Sequence, residues 1–305
     1  MLANMHDMLE DARRNHYAIG CINTPTFDLL RGIVGAAEDV GTPIVIDHAE
    51  VHDYTMPIEP IAPQMVDFAR RASVPVALHV DHGVSYNFIM RCIRVGFTSV
   101  MYDLSSAPFE ENVARLKEFT AMAHEAGLTV EAELGEMTSS GNDTHGGSGA
   151  PADLRDTFTD PDLARRFAEE TRVDALAVCF GTVHGLYVKE PQLDIDHLKA
   201  LRAAVPEETS LVMHGSSGVA PDQMTAAINN GVTKVNYYSY LSAGATQFTK
   251  ELIQKTEDPV FYEYITESTT AYIRDHVRNI LGILTNGVNP TIPSRPATTV
   301  FTRGS

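Results

Sequence analysis

The stretch Val76-Ala77-Leu78-His79-Val80-Asp81-His82-Gly83 decides how this chain is read. A largely apolar, β-branched run begins after Pro75 and ends abruptly in an acid, a histidine and a glycine. Runs of this length that are apolar on both faces belong to parallel strands covered by helices. Polar residues at the tip of such a strand have no packing reason to be there. In α/β folds ligands sit at the carboxyl ends of the strands, so chemistry is expected at Asp81 and His82.

Outward from this stretch the same pattern repeats. With Val74–Val80 as one strand, seven others read as Tyr17–Ile22, Thr42–Ile46, Ser99–Tyr102, Thr129–Leu134, Ala175–Phe180, Ser210–Met213 and Thr233–Asn236. An amphipathic helix, Met5–Arg14, precedes them. Helical patterns lie between them, such as Phe27–Val40 after Thr24-Pro25, a cap with proline in the first turn. The others are Pro63–Ala72, Phe88–Val95, Glu110–Ala126, Pro161–Thr171, Ile195–Ala204 and Pro221–Asn230. Glycines 41, 96, 127 and 231 stand just past helix ends, as C-terminal caps do. Eight βα units are the count of a (β/α)8 TIM barrel; a doubly wound open sheet is the competing architecture. Residues 1–240 are expected to form the barrel core and 241–285 two further helices, Ala243–Lys255 and Phe261–Gly282. Residues 286–305, rich in Pro and Thr, read as an extended tail. Met137–Phe158 breaks the pattern with small, polar, glycine-rich sequence and reads as a mobile lid or a surface loop.

The 305 residues are enough for one such barrel, and a hydrophobic fraction of 44% with 21% charged residues is ordinary for a globular protein. A formal net charge of -17 argues against nucleic acid, whose phosphates would be repelled. Cys21, Cys92 and Cys179 are odd in number and far apart, which argues against a disulfide framework. No run approaches 18 apolar residues and no signal peptide is apparent, so neither a membrane span nor export is expected; the expectation is a cytoplasmic protein.

The strand ends carry the chemistry. Strand one ends in Asn23, strand two in Asp47-His48, strand three in Asp81-His82 and strand four in Asp103; strand five carries Glu131 and Glu133. Strand six runs into Gly181-Thr182-Val183-His184-Gly185, strand seven into His214-Gly215-Ser216-Ser217-Gly218, and strand eight ends at Asn236. A closed barrel aims all of these at one mouth. Three imidazoles with one open position describe a catalytic zinc site, so His82, His184 and His214 are candidate ligands. Gly181, Gly185, Gly215 and Gly218 let backbone N–H groups approach an anion, helped by the hydroxyls of Ser216 and Ser217; the competing reading is that they only end strands tightly.

The motifs HVDHG (79–83), VEAELGEM (130–137), FGTVHGLY (180–187), VMHGSSG (212–218) and KVN (234–236) resemble those of the class II, zinc-dependent ketose-bisphosphate aldolases, such as fructose- and tagatose-bisphosphate aldolase. They follow the family's order over most of residues 1–236. The resemblance implies a barrel that reversibly cleaves a ketose phosphate to dihydroxyacetone phosphate, or a similar ketone, and an aldehyde. It implies zinc on His82, His184 and His214, with Glu133 near the metal as an alternate ligand, and Asp81 as the acid/base. Gly185, Gly215, Ser217, Asn236 and Ser239 match positions that hold the triose phosphate, often beside a monovalent cation, Na+ or K+. Lys189 sits one place after the family's phosphate-contacting lysine. Asn23 and Ser216 complete the candidate substrate-binding set, and a homodimer or homotetramer is expected.

That chemistry explains the residue types. Breaking a carbon–carbon bond beside a carbonyl leaves an enediolate, stabilised either by a lysine Schiff base or by a Lewis-acid metal. Lys234 lies within a strand and its periodicity leaves its direction open; three imidazoles favour the metal. Asp81, beside His82, can take and return the hydroxyl proton.

The chain also departs from the family. The lid glutamate is absent from Thr138–Asp143, leaving Asp143 as the candidate lid acid/base, with Glu136 and His145 as alternatives. Tyr238 replaces an acid, the next basic residue after strand eight is Lys250, and Asp47–Glu50 replace small hydroxyl residues. The catalytic floor therefore matches better than the substrate walls. Two other functions fit a barrel of this kind: a non-catalytic partner of a sugar-phosphate enzyme, and a zinc-dependent hydrolase.

Overall fold

A computed structural model describes residues 1–135, 154–187, 189–256 and 259–290. Its elements are α1 (Met5–Asn15), β1 (Ile19–Asn23), α2 (Phe27–Val40), β2 (Ile44–Ala49), α3 (Ile58–Arg71), β3 (Val76–Gly83), α4 (Tyr86–Val95), β4 (Ser99–Tyr102), α5 (Phe109–Glu125), β5 (Thr129–Glu133), α6 (Pro161–Thr171), β6 (Ala175–Ala177), α7 (Ile195–Ala204), β7 (Ser210–Met213), α8 (Pro221–Asn229), β8 (Val232–Asn236), α9 (Ser239–Lys255) and α10 (Tyr262–Leu284). The eight strands are parallel and close in sequence order, with β8 pairing back onto β1. The architecture is the expected TIM barrel, and closure excludes the open sheet.

Two apolar layers hold it. Ile22, Ile46, Leu78, Val100, Val130 and Leu211 face outward and pack with the helices in one large buried cluster. The smaller cluster is the barrel floor, where Ile19, Cys21, Val45, Ala77, Ala175 and Val212 meet Met5, Met8, Leu9 and Ala12 of α1. The amphipathic helix found ahead of the first strand is thus a plug for the amino end of the barrel. Asn4 caps it by accepting from the His6 N–H at 2.8 Å.

A polar clasp joins that plug to the sheet. Asp174, ahead of β6, lies 3.0 Å from His6 Nδ1 and 2.9 Å from His124 Nε2, and accepts from the Val130 N–H at 2.7 Å. The hydrogen bond to Asp174 raises the His6 pKa above its ordinary value, against the opposing effect of burial. A raised folded-state pKa stabilises fully below the unfolded value of about 6.5 and ceases to do so as pH rises through the folded value. Thermal stability is therefore expected to fall as pH rises above about 6.5, and His6→Gln should flatten that part of the profile. His6 is half exposed, so the effect should stay below about 1 kcal/mol. Parallel Tm profiles that do not differ would contradict the clasp.

Several boundaries differ from the sequence reading. α3 begins five residues before Pro63, because Pro60 falls in the first turn, where no intrahelical donor is needed, and Asp53 Oδ1 accepts from the Ile58 N–H at 2.8 Å. α2 is capped by Thr26, whose hydroxyl accepts from the Leu29 N–H; Thr24 instead bonds the Asp47 carbonyl. β6 leaves its ladder at Ala177, not Phe180. α9 starts directly after β8, and α10 packs on α2, where Gly32 lets Ile273 approach so closely that a Cβ would lie 2.5 Å from it. Arg274 of α10 forms a bidentate pair with Asp39 of α2 at 2.6–2.7 Å.

Candidate active site

β3 delivers Asp81 and His82 together, which regular strand alternation forbids, since successive side chains point to opposite faces. His82 has φ +44°, and the β3–β4 register slips between Val80 and Gly83. The strand bulges there, and both side chains turn into the mouth. For a residue other than glycine this backbone costs on the order of 1–2 kcal/mol. Strain of that kind persists only where the surroundings over-determine it.

They do so here. His82 Nδ1 lies 2.7 Å from Asp103 Oδ2, and its Nε2 lies 3.9 Å from Asp81 Oδ1. The His82 ring centroid is 5.0 Å from that of His184 and 4.9 Å from that of His214, and His184 and His214 are 5.8 Å apart. One nitrogen from each of the three rings lies within 4.8 Å of the others. His214 is wholly buried, its Nε2 3.0 Å from Glu131 Oε1 and its Nδ1 3.2 Å from Glu133 Oε2.

A divalent cation fits this donor set. Imidazoles that bind metals characteristically give their other N–H to a carboxylate, as His82 does to Asp103 and His214 to Glu131. Burial alone would lower the His82 pKa, but Asp81 and Asp103 outweigh it and push it up to about 10. His214 is raised likewise by Glu131 and Glu133 against burial. Carboxylates that favour a proton on these rings favour a cation in its place, so binding should release protons.

Beneath the histidines runs a hydrogen-bonded chain. Lys234 Nζ lies 2.9 Å from Glu131 Oε2 and 2.6 Å from Asn236 Oδ1; Asn236 Nδ2 donates to Asp81 Oδ1 at 3.2 Å. Asn23 Nδ2 donates to Asp81 Oδ2 at 2.9 Å and to Asp47 Oδ1. Lys234 therefore faces inward, at 0% exposure. Burial opposes its charge, yet the carboxylates of Glu131 and Asp81 hold its pKa above the usual value. Its ammonium is engaged by Glu131 and Asn236, and a protonated amine is not a nucleophile.

Around the mouth stand the loops expected to meet an anion. Gly215 has φ +63°, and a Cβ there would lie 2.4 Å from the Val183 carbonyl oxygen, so only glycine lets the loops after β6 and β7 press together. Tyr187 ties them: its hydroxyl accepts from the Val183 N–H at 2.7 Å and donates to the Gly215 carbonyl at 2.8 Å. Gly185 lies on the first of these loops with φ +97°. Ser216 Oγ donates to the Asn236 carbonyl, and Ser217 Oγ accepts from the Tyr238 N–H at 3.1 Å. Ser239 is the first residue of α9, whose amino-terminal N–H groups and dipole favour an anion.

The structure thus joins Asn23, Asp81, His82, Glu133, His184, His214 and Asn236 in one cluster, with Gly185, Gly215, Ser216, Ser217 and Ser239 on the flanking loops. Lys189 is exposed. Asp143, with Glu136 and His145, lies outside the described residues. The strand-end reading assigned no role to Asp103, Glu131, Asp47 or Lys234. Their signal was present as charges within or at the tips of apolar runs.

An eight-stranded barrel with a metal-ready histidine triad and an aspartate at its carboxyl mouth defines a TIM-barrel enzyme. A family model described as fructose-bisphosphate aldolase class-II matches residues 3–286. The Escherichia coli (strain K12) protein YdjI is 37% identical over 251 residues, 82% of this chain and 87% of its own length. The crystal structure of that YdjI aldolase aligns with a TM-score of 0.83 and 30% identity, covering 95% of this chain and 100% of the other. The fructose-bisphosphate aldolase of Thermus caldophilus is 34% identical over 278 residues, 84% and 88% of the two chains. The 6-phospho-5-dehydro-2-deoxy-D-gluconate aldolase of Halalkalibacterium halodurans is 32% identical over 283 residues, 91% and 94% of the two. The chain belongs to the class II fructose-bisphosphate aldolase family and is an aldehyde-lyase. No described helix is long and apolar enough to cross a membrane.

Proposed function

We propose that this aldolase is zinc-dependent and reversibly cleaves a ketose phosphate to dihydroxyacetone phosphate, or a similar ketone, and an aldehyde. The observation that carries the reading is the convergence of His82, His184 and His214 within 4.8 Å, with Asp81 adjoining in sequence and space. The names of two relatives, fructose-bisphosphate aldolase and 6-phospho-5-dehydro-2-deoxy-D-gluconate aldolase, support a phosphorylated sugar derivative as the substrate class.

His82, His184 and His214 would hold the ion, with Glu133 beside His214 as a further ligand. When bound, zinc supplies a Lewis acid for the substrate carbonyl. The chain does the rest. Asp81 takes the proton of the hydroxyl next to the breaking bond and returns it in condensation. The Asn23 and Asn236 amides fix both of its oxygens, so that the carboxylate keeps one orientation through the step. Asp103 and Glu131 orient the imidazoles. The N–H groups of the loops after β6 and β7, and of the α9 terminus, receive the phosphate, with the hydroxyls of Ser217 and Ser239 near them. Asp143 is the proposed partner for the proton on the triose carbon.

The substrate walls are particular to this chain. Tyr238 packs edge-on against His52, ring centroids 5.3 Å apart, where an acid is usual in the family. The reading is therefore a ketose phosphate and not specifically fructose bisphosphate. A panel of ketose mono- and bisphosphates, assayed before and after exhaustive chelation, tests it. Cleavage should vanish with the metal, return on adding zinc, and resist borohydride, which traps Schiff bases. Cleavage that survives complete zinc removal would refute the mechanism. Release of inorganic phosphate without a triose product would mark a hydrolase.

A further inference from the structure

The amino end of the barrel, opposite the mouth, carries a cavity of about 670 Å3 that the proposed reaction does not use. It lies between the end of α1, α7 with the loop after it, and the end of α8 where the chain enters β8. Cavities of this volume hold small molecules. Arg13, Lys199 and Arg202 line it against one carboxylate, Glu207. In a chain of formal net charge -17, so cationic a lining is a local exception.

Neither arginine is paired with a carboxylate among the described residues. Arg13 Nη1 is buried there without a hydrogen-bond partner. Arg202 commits its guanidinium to backbone carbonyls: Nη1 donates to Thr209 at 2.9 Å, and Nη2 donates to Val205 at 2.7 Å and Pro206 at 2.6 Å. Those bonds fix the group in place and leave its charge unneutralised. Gly231, at φ +110°, lets the stem of Arg202 cross the end of α8, since a Cβ would lie 2.7 Å from Arg202 Cδ. The two guanidiniums feel one another. Burial first, and Arg13 next, draw the Arg202 pKa below its usual value, against the opposing pull of Glu207 and Glu208. Lys199 stands at the exposed rim, with its Nζ 2.7 Å from Asp196 Oδ1.

A pair of guanidiniums is matched by an anion with several oxygens and more than one charge. A phosphate monoester, with a charge of about -1.5 to -2 at pH 7, meets both requirements; a monocarboxylate neutralises only one arginine. The cavity is also larger than a phosphate group, and Ala203, Val205 and Ile228 give it a wall for a carbon skeleton. We propose that the amino end of the barrel holds a second ligand site, in which Arg13 and Arg202 bind the phosphate of a small, sugar-sized phosphate monoester. The ligand joins α1, α7 and α8, so its binding stabilises the fold by mass action. The site lies at the other end of the barrel from His82, His184 and His214, and it takes its ligand whether or not the aldolase reading holds.

Calorimetric titration of the zinc-loaded protein with glucose 6-phosphate and glycerol 3-phosphate, at matched ionic strength, tests the site. At least one ester should bind saturably at millimolar concentration or below and raise Tm. Arg13→Gln should weaken that binding about 10–100-fold, the loss expected when a hydrogen bond to a charged group is removed. Without added ester the same variant should keep the parental Tm. Lys199→Gln, at the rim, should weaken binding only a few-fold. The binding lost in Arg13→Gln should persist in Ser217→Ala, which alters the loops at the mouth. Inorganic phosphate, which leaves the apolar wall uncovered, should bind more weakly than the ester. Four results would overturn the inference: no binding of either ester, parental affinity in Arg13→Gln, loss of the same binding in Ser217→Ala, or inorganic phosphate binding as tightly as the ester. If Arg13→Gln does not fold, Arg13→Lys decides, because it keeps the charge and loses the fork; parental affinity there would equally refute the site.

Discussion

Replacing Asp81 with alanine should leave a protein that still takes up zinc but cleaves its ketose phosphate about two to four orders of magnitude more slowly, the range for a lost general acid–base group. The expectation follows from how the side chain is held. Asp81 is 2% exposed and receives hydrogen bonds at 2.9 and 3.2 Å from Asn23 and Asn236, neither of which is a candidate metal ligand. Truncation removes the proton acceptor and takes a partner from the buried Asn23 amide and the half-buried Asn236 amide, at a cost of about 1–3 kcal/mol for a buried donor left unsatisfied. The Asp103–His82 and Glu131–His214 contacts that orient the imidazoles remain. Zinc content and steady-state cleavage on the same preparation are the measurements. If metal is lost along with activity, Asp81 serves the site's structure and not its chemistry.

The second large effect is expected at Lys234. Its ammonium and the Glu131 carboxylate are both fully buried and 2.9 Å apart. Burial opposes charge on Glu131, yet Lys234 and the neighbouring histidines hold it well below the usual carboxylate range. Lys234→Met leaves that charge uncompensated, and breaking a buried pair from one side costs about 3–5 kcal/mol. The loss should appear in urea unfolding, and zinc affinity should also weaken, because Glu131 orients His214. Lys234→Met combined with Glu131→Gln should recover most of the stability, since no lone charge remains and the glutamine oxygen still accepts from His214. A single variant as stable as the parent would show that the pair is not ionised. Because Asn236 also bonds Lys234, the double variant should remain slower than the parent, which separates the fold from the catalytic geometry.

The Lys234–Glu131 pair shows where reading the chain alone stops. Eight apolar runs and their intervening helical patterns were enough to narrow the fold to a barrel or a doubly wound sheet, because each strand and helix announces itself over a few residues; closure of β8 onto β1 decided for the barrel. The polar tips of those runs were enough to place His82, His184 and His214 at one end, because every parallel strand in a closed barrel points the same way. Direction within a strand is another matter. When both faces of a strand are buried, alternation of polar and apolar residues no longer distinguishes inside from outside. Only closure and register turn Lys234, Glu131 and Asp47 into the lumen, where they neutralise or hold one another. Only a left-handed residue at a bulge lets Asp81 and His82 share a face. The plugging of the amino end by α1 likewise depends on contacts between residues far apart in the chain. The strand pattern, local in origin, determined the alternating α/β architecture and the strand ends where the chemistry lies; the tertiary structure decided that the sheet closes and which charges meet.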